Sequence, residues 1–225
     1  MKKNLLTLVL LSFSLQCYSQ FNLGIKGGAT FSNIIYDQKP FQQNTVETQI
    51  KPGIMGGITF QYINQKNAGL QFELLYIQKG FNTKFDSANN TQYERSIDYI
   101  SLPFLMHVSF GKKKFQVSLI LGPYGSYAIS SKETLTDGTQ KTDRTYQFDP
   151  EVDNRFEFGL QGGVGFRNKF NFGIIEVQGN LSFTFTSLYR WKAVNKDPEM
   201  DRFFELPEMA QSQVYQIALS YYYPF

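Results

Sequence analysis

After its first twenty residues the chain alternates apolar and polar positions at period two, in eight separate runs. They cover residues 22–33, 51–63, 69–82, 96–109, 115–129, 155–167, 170–186 and 212–225. Successive side chains of a β-strand point to opposite faces, so this period predicts strands. Each run reaches or exceeds the ~9–11 residues with which a tilted strand crosses a bilayer. In the last run Tyr215, Ile217, Leu219, Tyr221, Tyr223 and Phe225 share one face, opposite Gln216, Ala218 and Ser220. In the seventh, Ile175, Val177, Leu181, Phe183 and Phe185 oppose Glu176, Gln178, Asn180, Ser182 and Thr184. The fourth is less regular, because Leu105 falls on the face opposite Ile100, Leu102, Phe104, Met106 and Val108.

The connections alternate in length. Residues 34–50, 83–95, 130–154 and 187–211 are long and polar, whereas Asn64–Asn67, Gly111–Lys114 and Asn168–Lys169 are short. That rhythm predicts an all-β fold, an eight-stranded antiparallel up-and-down transmembrane β-barrel whose two ends face different compartments. Aromatic residues gather where two interfacial belts are expected: Phe60, Tyr62, Phe110, Phe115, Phe166, Phe170, Tyr221, Tyr223 and Phe225 near the short turns, and Phe31, Tyr127, Phe156, Phe183 and Phe185 near the long loops. A soluble lipocalin-like barrel has the same period with its faces reversed, and periodicity does not separate the two. The terminal Phe225, the belts and the loop asymmetry favour lipid outside.

The first nineteen residues read as a signal peptide, with Lys2 and Lys3, an apolar run from Leu5 to Leu15, and Cys17-Tyr18-Ser19 before Gln20. The expected organisation is residues 1–19 as a removed signal and residues 20–225 as one barrel domain. Cys17 leaves with the signal unless it is a lipoprotein cysteine, for which Gln16 is a poor predecessor. Losing Lys2 and Lys3 takes the balance from 22 − 19 = +3 to 20 − 19 = +1, which gives a nucleic-acid partner no support. Many aromatics (22 Phe, 14 Tyr) beside a slightly negative mean hydropathy fit alternation rather than a uniformly apolar chain.

The runs also carry local motifs. Gly24-Ile25-Lys26-Gly27-Gly28 opens the first, and Gly69-Leu70-Gln71-Phe72-Glu73-Leu74-Leu75-Tyr76-Ile77-Gln78-Lys79-Gly80 fills the third. Ile100-Ser101-Leu102-Pro103-Phe104-Leu105 lies in the fourth, Gly122-Pro123-Tyr124 in the fifth, and Phe225 closes the chain. In this order the sequence resembles the outer-membrane β-barrel proteins of the Bacteroidetes, the porin-family, OmpA-like or PorT-family barrels. The resemblance spans the chain after the signal and implies location and architecture more than task. It implies a bacterial outer-membrane address, with lipid, lipopolysaccharide and the membrane's insertion machinery as partners. It also implies that Tyr221, Tyr223 and Phe225 form the terminal signal read by that machinery. Some PorT relatives serve a secretion machine, and no motif here selects that subgroup.

Eight strands enclose a lumen just filled by side chains. The inward face is expected to carry Lys26, Glu73, Lys79, Glu157, Arg167 and Glu176, with Gln71, Gln116, Gln161, Gln178 and Asn180. Unpaired charges there are costly, so a paired network that plugs the barrel is expected, and a narrow channel is the alternative. The role then is structural or interactive, acting through the long external loops and open to a protein partner. His107 and Ser109 share a face, as base and nucleophile do in some lipid A deacylases, but no carboxylate is evidently placed to orient the imidazole. An enzyme is not expected, nor a cofactor or transition metal, with one histidine and no cysteine beyond Cys17. Asp149, Asp153 and other loop aspartates are weak calcium candidates. Trp191, beside Arg190 and Lys192, is a candidate contact for lipopolysaccharide or a protein.

Overall fold

The computed structural model describes residues 20–37, 47–64, 67–84, 92–112, 114–137, 140–189 and 209–224. The expected signal segment, Trp191 and Phe225 lie outside them. The described strands are β1 (Gln20–Asp37), β2 (Glu47–Gln49), β3 (Lys51–Ile63), β4 (Ala68–Lys84), β5 (Gln92–Gly111), β6 (Phe115–Asp137), β7 (Gln140–Thr145), β8 (Phe156–Phe170), β9 (Gly173–Thr184) and β10 (Met209–Pro224).

Eight of these close a ring in the order β1, β3, β4, β5, β6, β8, β9, β10, and β10 returns to β1. Every neighbouring pair is antiparallel. The closing ladder is long, running from Asn22↔Pro224 to Asp37↔Met209. Closure satisfies the backbone groups that an open edge would leave bare, which is a requirement in lipid. No helix among the described residues is long and apolar enough to cross a membrane.

Six of the eight ring strands run longer than the alternation predicts; β3 keeps the expected bounds, and β9 is shorter than the run 170–186. β5 and β6 extend past the expected loop boundaries, to Gln92 and Asp137, because each supplies the other with a ladder partner there. The short β7 pairs with this outer part of β6, and β2 pairs with the outer end of β4. A register shift at Asp98/Tyr99 leaves Ile129 as the extra residue of a bulge, and it turns Ser131 rather than Ser130 inward. The turn predicted at Asn168-Lys169 falls instead at Asn171-Phe172, since both earlier residues continue the β8–β9 ladder. Gly173 makes that turn possible with φ of 152°, a conformation that side chains rarely tolerate.

The faces are those of a barrel in lipid. On β10, Ile217 and Leu219 are 59% and 58% exposed, while Gln216 and Ala218 are 2% exposed and Ser220 is fully buried. The same inversion holds around the ring, with Leu102, Met106, Leu121 and Phe166 outside and Gln61, Gln71, His107 and Gln178 inside. A soluble lipocalin-like barrel requires the reverse, and that reading is set aside. The expected belt residues Phe31, Tyr127, Phe156, Phe183 and Phe185 are all exposed towards the long-loop end, and Phe110, Phe115, Phe166 and Phe170 towards the short-turn end.

Candidate functional site

The lumen is the most densely functionalised part of the molecule, and its contents lie in layers. Nearest the short turns is a polar network built from β1, β3, β4, β5, β6, β8 and β9. Lys26 Nζ donates to Glu73 Oε1 and to Gln178 Oε1, each at 2.7 Å. Glu73 also accepts from Gln71, whose Oε1 takes a 2.8 Å bond from Gln61. Gln61 accepts in turn from Arg167. Arg167 Nε lies 3.5 Å from Glu176 Oε2, and Ser118 donates to the other oxygen of Glu176. All of these side chains are buried.

His107 joins the same network. Its Nε2 is 3.5 Å from Glu176 Oε1, and its Nδ1 is 3.5 Å from Ser109 Oγ. A carboxylate is therefore placed to orient the imidazole, contrary to the sequence expectation. Glu176 is distant in the chain, and only the curvature of the ring brings β9 round to β5. Both contacts are long, and all three groups face a closed interior.

The next layer is apolar: Met55, Leu75, Ile77 and Ala218 pack together, and Leu105 and Ile120 are buried alongside. This explains the irregular fourth run, because Leu105 points inward to fill a part of the lumen that is not polar. Above it Lys79 Nζ meets Glu157 Oε2 at 2.6 Å and stands 4.7 Å from the Tyr99 ring and 5.2 Å from the Tyr124 ring. The Tyr124 hydroxyl bonds Thr184 Oγ1 at 2.7 Å. The three lumen cations Lys26, Lys79 and Arg167 balance Glu73, Glu157 and Glu176, so these six sum to 3 − 3 = 0.

Towards the long loops an apolar plug closes the mouth. Ile34, Phe81, Ile97, Tyr99, Ala128, Leu188 and Ala210 form it, with Tyr93, Phe148 and Tyr189 packed against it. A cavity of about 10 Å³ lies between this plug and the Lys79–Glu157 pair, room for roughly one water.

A strap from Tyr146 to Arg155 lies over the plug. Asp153 anchors it: Oδ1 accepts from Arg95 at 3.2 Å, and Oδ2 accepts from the Tyr146 hydroxyl at 2.7 Å and the Asp149 amide at 2.8 Å. Arg95 also stacks on Tyr146, 3.9 Å from the ring centre. Arg155 donates twice to the Ala128 carbonyl, at 3.0 and 2.8 Å. The strap reaches the far wall through the Asp153↔Tyr189 bridge and a 2.9 Å bond from Asn154 N to Leu188 O. Burial, followed by the hydrogen bond to Asp153, raises the pKa of Tyr146 well above its usual value. Burial opposes the charge on Arg95, but Tyr189, Asp153 and Tyr146 outweigh it and hold the guanidinium protonated.

The sequence treats residues 130–154 as a loop and does not find this cap. A readable signal exists in Asp149-Pro150, a turn former whose Asp149 carboxylate takes the Glu151 amide at 2.8 Å. Asp153 is committed to Arg95 rather than gathered with Asp149 around a cation site. Of the terminal aromatics, Tyr221 is half-buried with its hydroxyl on the Phe172 carbonyl at 2.7 Å, and Tyr223 is exposed.

One close approach is testable directly. Gly165 faces the lumen, and a Cβ there meets Ser118 Oγ at 2.4 Å and Glu176 Oε1 at 2.6 Å. Gly165→Val is expected to displace the Glu176 carboxylate and to lower stability by about 1–3 kcal/mol, the usual cost of overpacking. Urea unfolding in vesicles checks it, and an unchanged midpoint counts against a tightly filled lumen.

A closed ring, apolar outside and polar inside with its charges paired, defines a membrane-spanning β-barrel with a filled interior. The chain belongs to the outer membrane protein beta-barrel domain family, whose model matches residues 12–190. It is a protein of the bacterial outer membrane. Among solved structures it is similar to Ail, the attachment invasion locus protein of Yersinia pestis, at 9% identity and a TM-score of 0.39, covering 90% of this chain and 98% of that one. It is also similar to Neisserial surface protein A, at 11% identity and a TM-score of 0.42, covering 88% and 96% of the two chains. For OprG of Pseudomonas aeruginosa the values are 16%, 0.41, 90% and 95%. No curated protein sequence matches this chain.

Proposed function

We propose that this protein is a closed, non-conducting outer-membrane barrel that acts by interaction at its external end and carries out no chemistry of its own. The layered filling of the lumen supports this reading above all: an ion-paired network, an apolar layer and an apolar plug follow one another along the axis. An ion crossing it has to shed its water in both apolar layers, at a high desolvation cost. The external rim supports an interaction role. Beyond the plug, β5, β6 and β7 rise together as a sheet whose β7 residues are all exposed, braced by the strap. A rigid, exposed platform suits recognition by a protein or by lipopolysaccharide.

The narrower kinship with Bacteroidetes barrels, PorT-like secretion components among them, rests on the glycine-bearing motifs of β1 and β4. The signal peptide and the assembly role of Tyr221, Tyr223 and Phe225 belong to the same proposal. Ser109, His107 and Glu176 make a poor catalytic set, because lipid at the outer surface has no path to them. The deciding experiment is planar-bilayer recording of the purified barrel. Only brief, rare events are expected, whereas sustained large openings overturn the closed-barrel reading.

A further inference from the structure

The two ends of the barrel differ sharply in charge. Of the 19 Asp and Glu residues, Glu73, Glu157 and Glu176 face the lumen, and the other 19 − 3 = 16 all belong, by their place in the chain, to the long-loop end. The short-turn end has none: residues 60–72, 108–119 and 165–175 contain no Asp or Glu. The same turns carry Lys112 and Lys114, both exposed, and Lys169, half-buried at the end of β8. Lys66 and Lys113 lie in these turns by sequence.

These turns form one connected rim. The Lys169 amide donates to the Lys114 carbonyl at 2.9 Å. Asn67 ties in the third turn, accepting from the Ser109 amide at 2.7 Å and from Gln116 Nε2 at 3.3 Å. The described side-chain carboxylates nearest this end are buried: Glu73 is bonded to Lys26, and Glu176 accepts from Ser118 with Arg167 Nε and His107 Nε2 each 3.5 Å away. Exposed Phe110, Phe115, Phe170 and Phe172 stand beside the lysines in the lower aromatic belt. At the other end two cations meet carboxylates within the protein, Lys51 with Glu94 and Arg95 with Asp153.

Lysines that meet no carboxylate among the described residues, set just beyond an aromatic belt, match the depth and charge of a layer of lipid phosphates. In barrels of this kind the short turns face the periplasm. We propose that the short-turn end binds anionic phospholipid headgroups in the inner leaflet of the outer membrane, with Lys112, Lys114 and Lys169 contacting the phosphates. This rests on the barrel's orientation and not on whether it conducts.

The test is native mass spectrometry of the full barrel in neutral detergent, with an equimolar mixture of phosphatidylglycerol and phosphatidylcholine of matched acyl chains. Each lysine near an anionic surface strengthens association roughly five-fold, so the wild type is expected to retain phosphatidylglycerol in at least about five-fold preference. The Lys112→Gln/Lys114→Gln/Lys169→Gln variant is expected to fall to near parity. Lys132→Gln/Lys141→Gln/Arg144→Gln, at the opposite end, keeps the preference. Lys112→Gln/Lys114→Gln alone, at two exposed positions, gives a partial loss and keeps the test open should the triple variant not fold. Parity in the wild type overturns the proposal, as does a preference that survives the short-turn substitutions. Capture of an acidic periplasmic protein without any lipid preference overturns the lipid assignment.

Discussion

Lys26→Met is expected to destabilise the barrel by about 3–5 kcal/mol, the cost of leaving one member of a buried ion pair without its partner. The Lys26 ammonium is fully enclosed, holding Glu73 and Gln178 at 2.7 Å. Its loss strands the Glu73 carboxylate, and Glu73 Oε2 already has no hydrogen-bond partner. Gln71 remains as the one donor to the other oxygen, too little to replace hydration. The Lys26→Met/Glu73→Gln double variant is expected to recover most of the loss, because no uncompensated charge then remains. Urea unfolding in lipid vesicles, read by the gel shift between folded and boiled forms, measures both. A single variant within 1 kcal/mol of wild type, or a double variant that costs the sum of its parts, is inconsistent with a charge-paired lumen.

Ile217→Arg is expected to cost about 2–4 kcal/mol, the range for an arginine at the lipid face near the bilayer midplane. Ile217 is central on the outer face of β10, between the two aromatic belts, and is 59% exposed. Tyr223→Arg, on the same face near the short-turn end, is expected to cost only about 0–1 kcal/mol, since an interfacial arginine reaches water. The gradient is the informative quantity. On a soluble protein both changes are surface substitutions, usually within about 0.5 kcal/mol of neutral. Equal, small effects at the two positions contradict lipid contact along β10.

Much of this fold is legible in the chain because a small membrane barrel imposes one rule at every position. Lipid outside and paired polar groups inside require strict alternation, so Lys26, Glu73, Lys79, Glu157, Arg167, Glu176 and Gln178 declare their face without any knowledge of their neighbours. Irregularities also had meaning: Leu105 marks an apolar layer of the lumen. The misplaced turn at Asn168-Lys169 has a local cause. Two polar residues resemble a turn, but the ladder continues through them until Gly173 supplies the backbone conformation the reversal needs.

Pairing across the lumen is a different kind of information. Face alone does not say that Lys26 meets Glu73 rather than Glu176, that Glu157 takes Lys79, or that His107 lies beside Glu176. Those choices depend on strand tilt and on the registers from Asn22↔Pro224 onward, which accumulate round the ring. The external cap depends on the same closure. Arg95 and Asp153 are 58 residues apart and meet only after the strap folds back over the mouth. The sequence by itself therefore determined the strand count, the lipid face, the polar lumen and the membrane address, all consequences of a repeating local constraint. Tertiary structure alone decided which charges neutralise each other, how the apolar layers interrupt the lumen, and how the strap seals it. These are contacts between residues distant in the chain, and no local pattern encodes them.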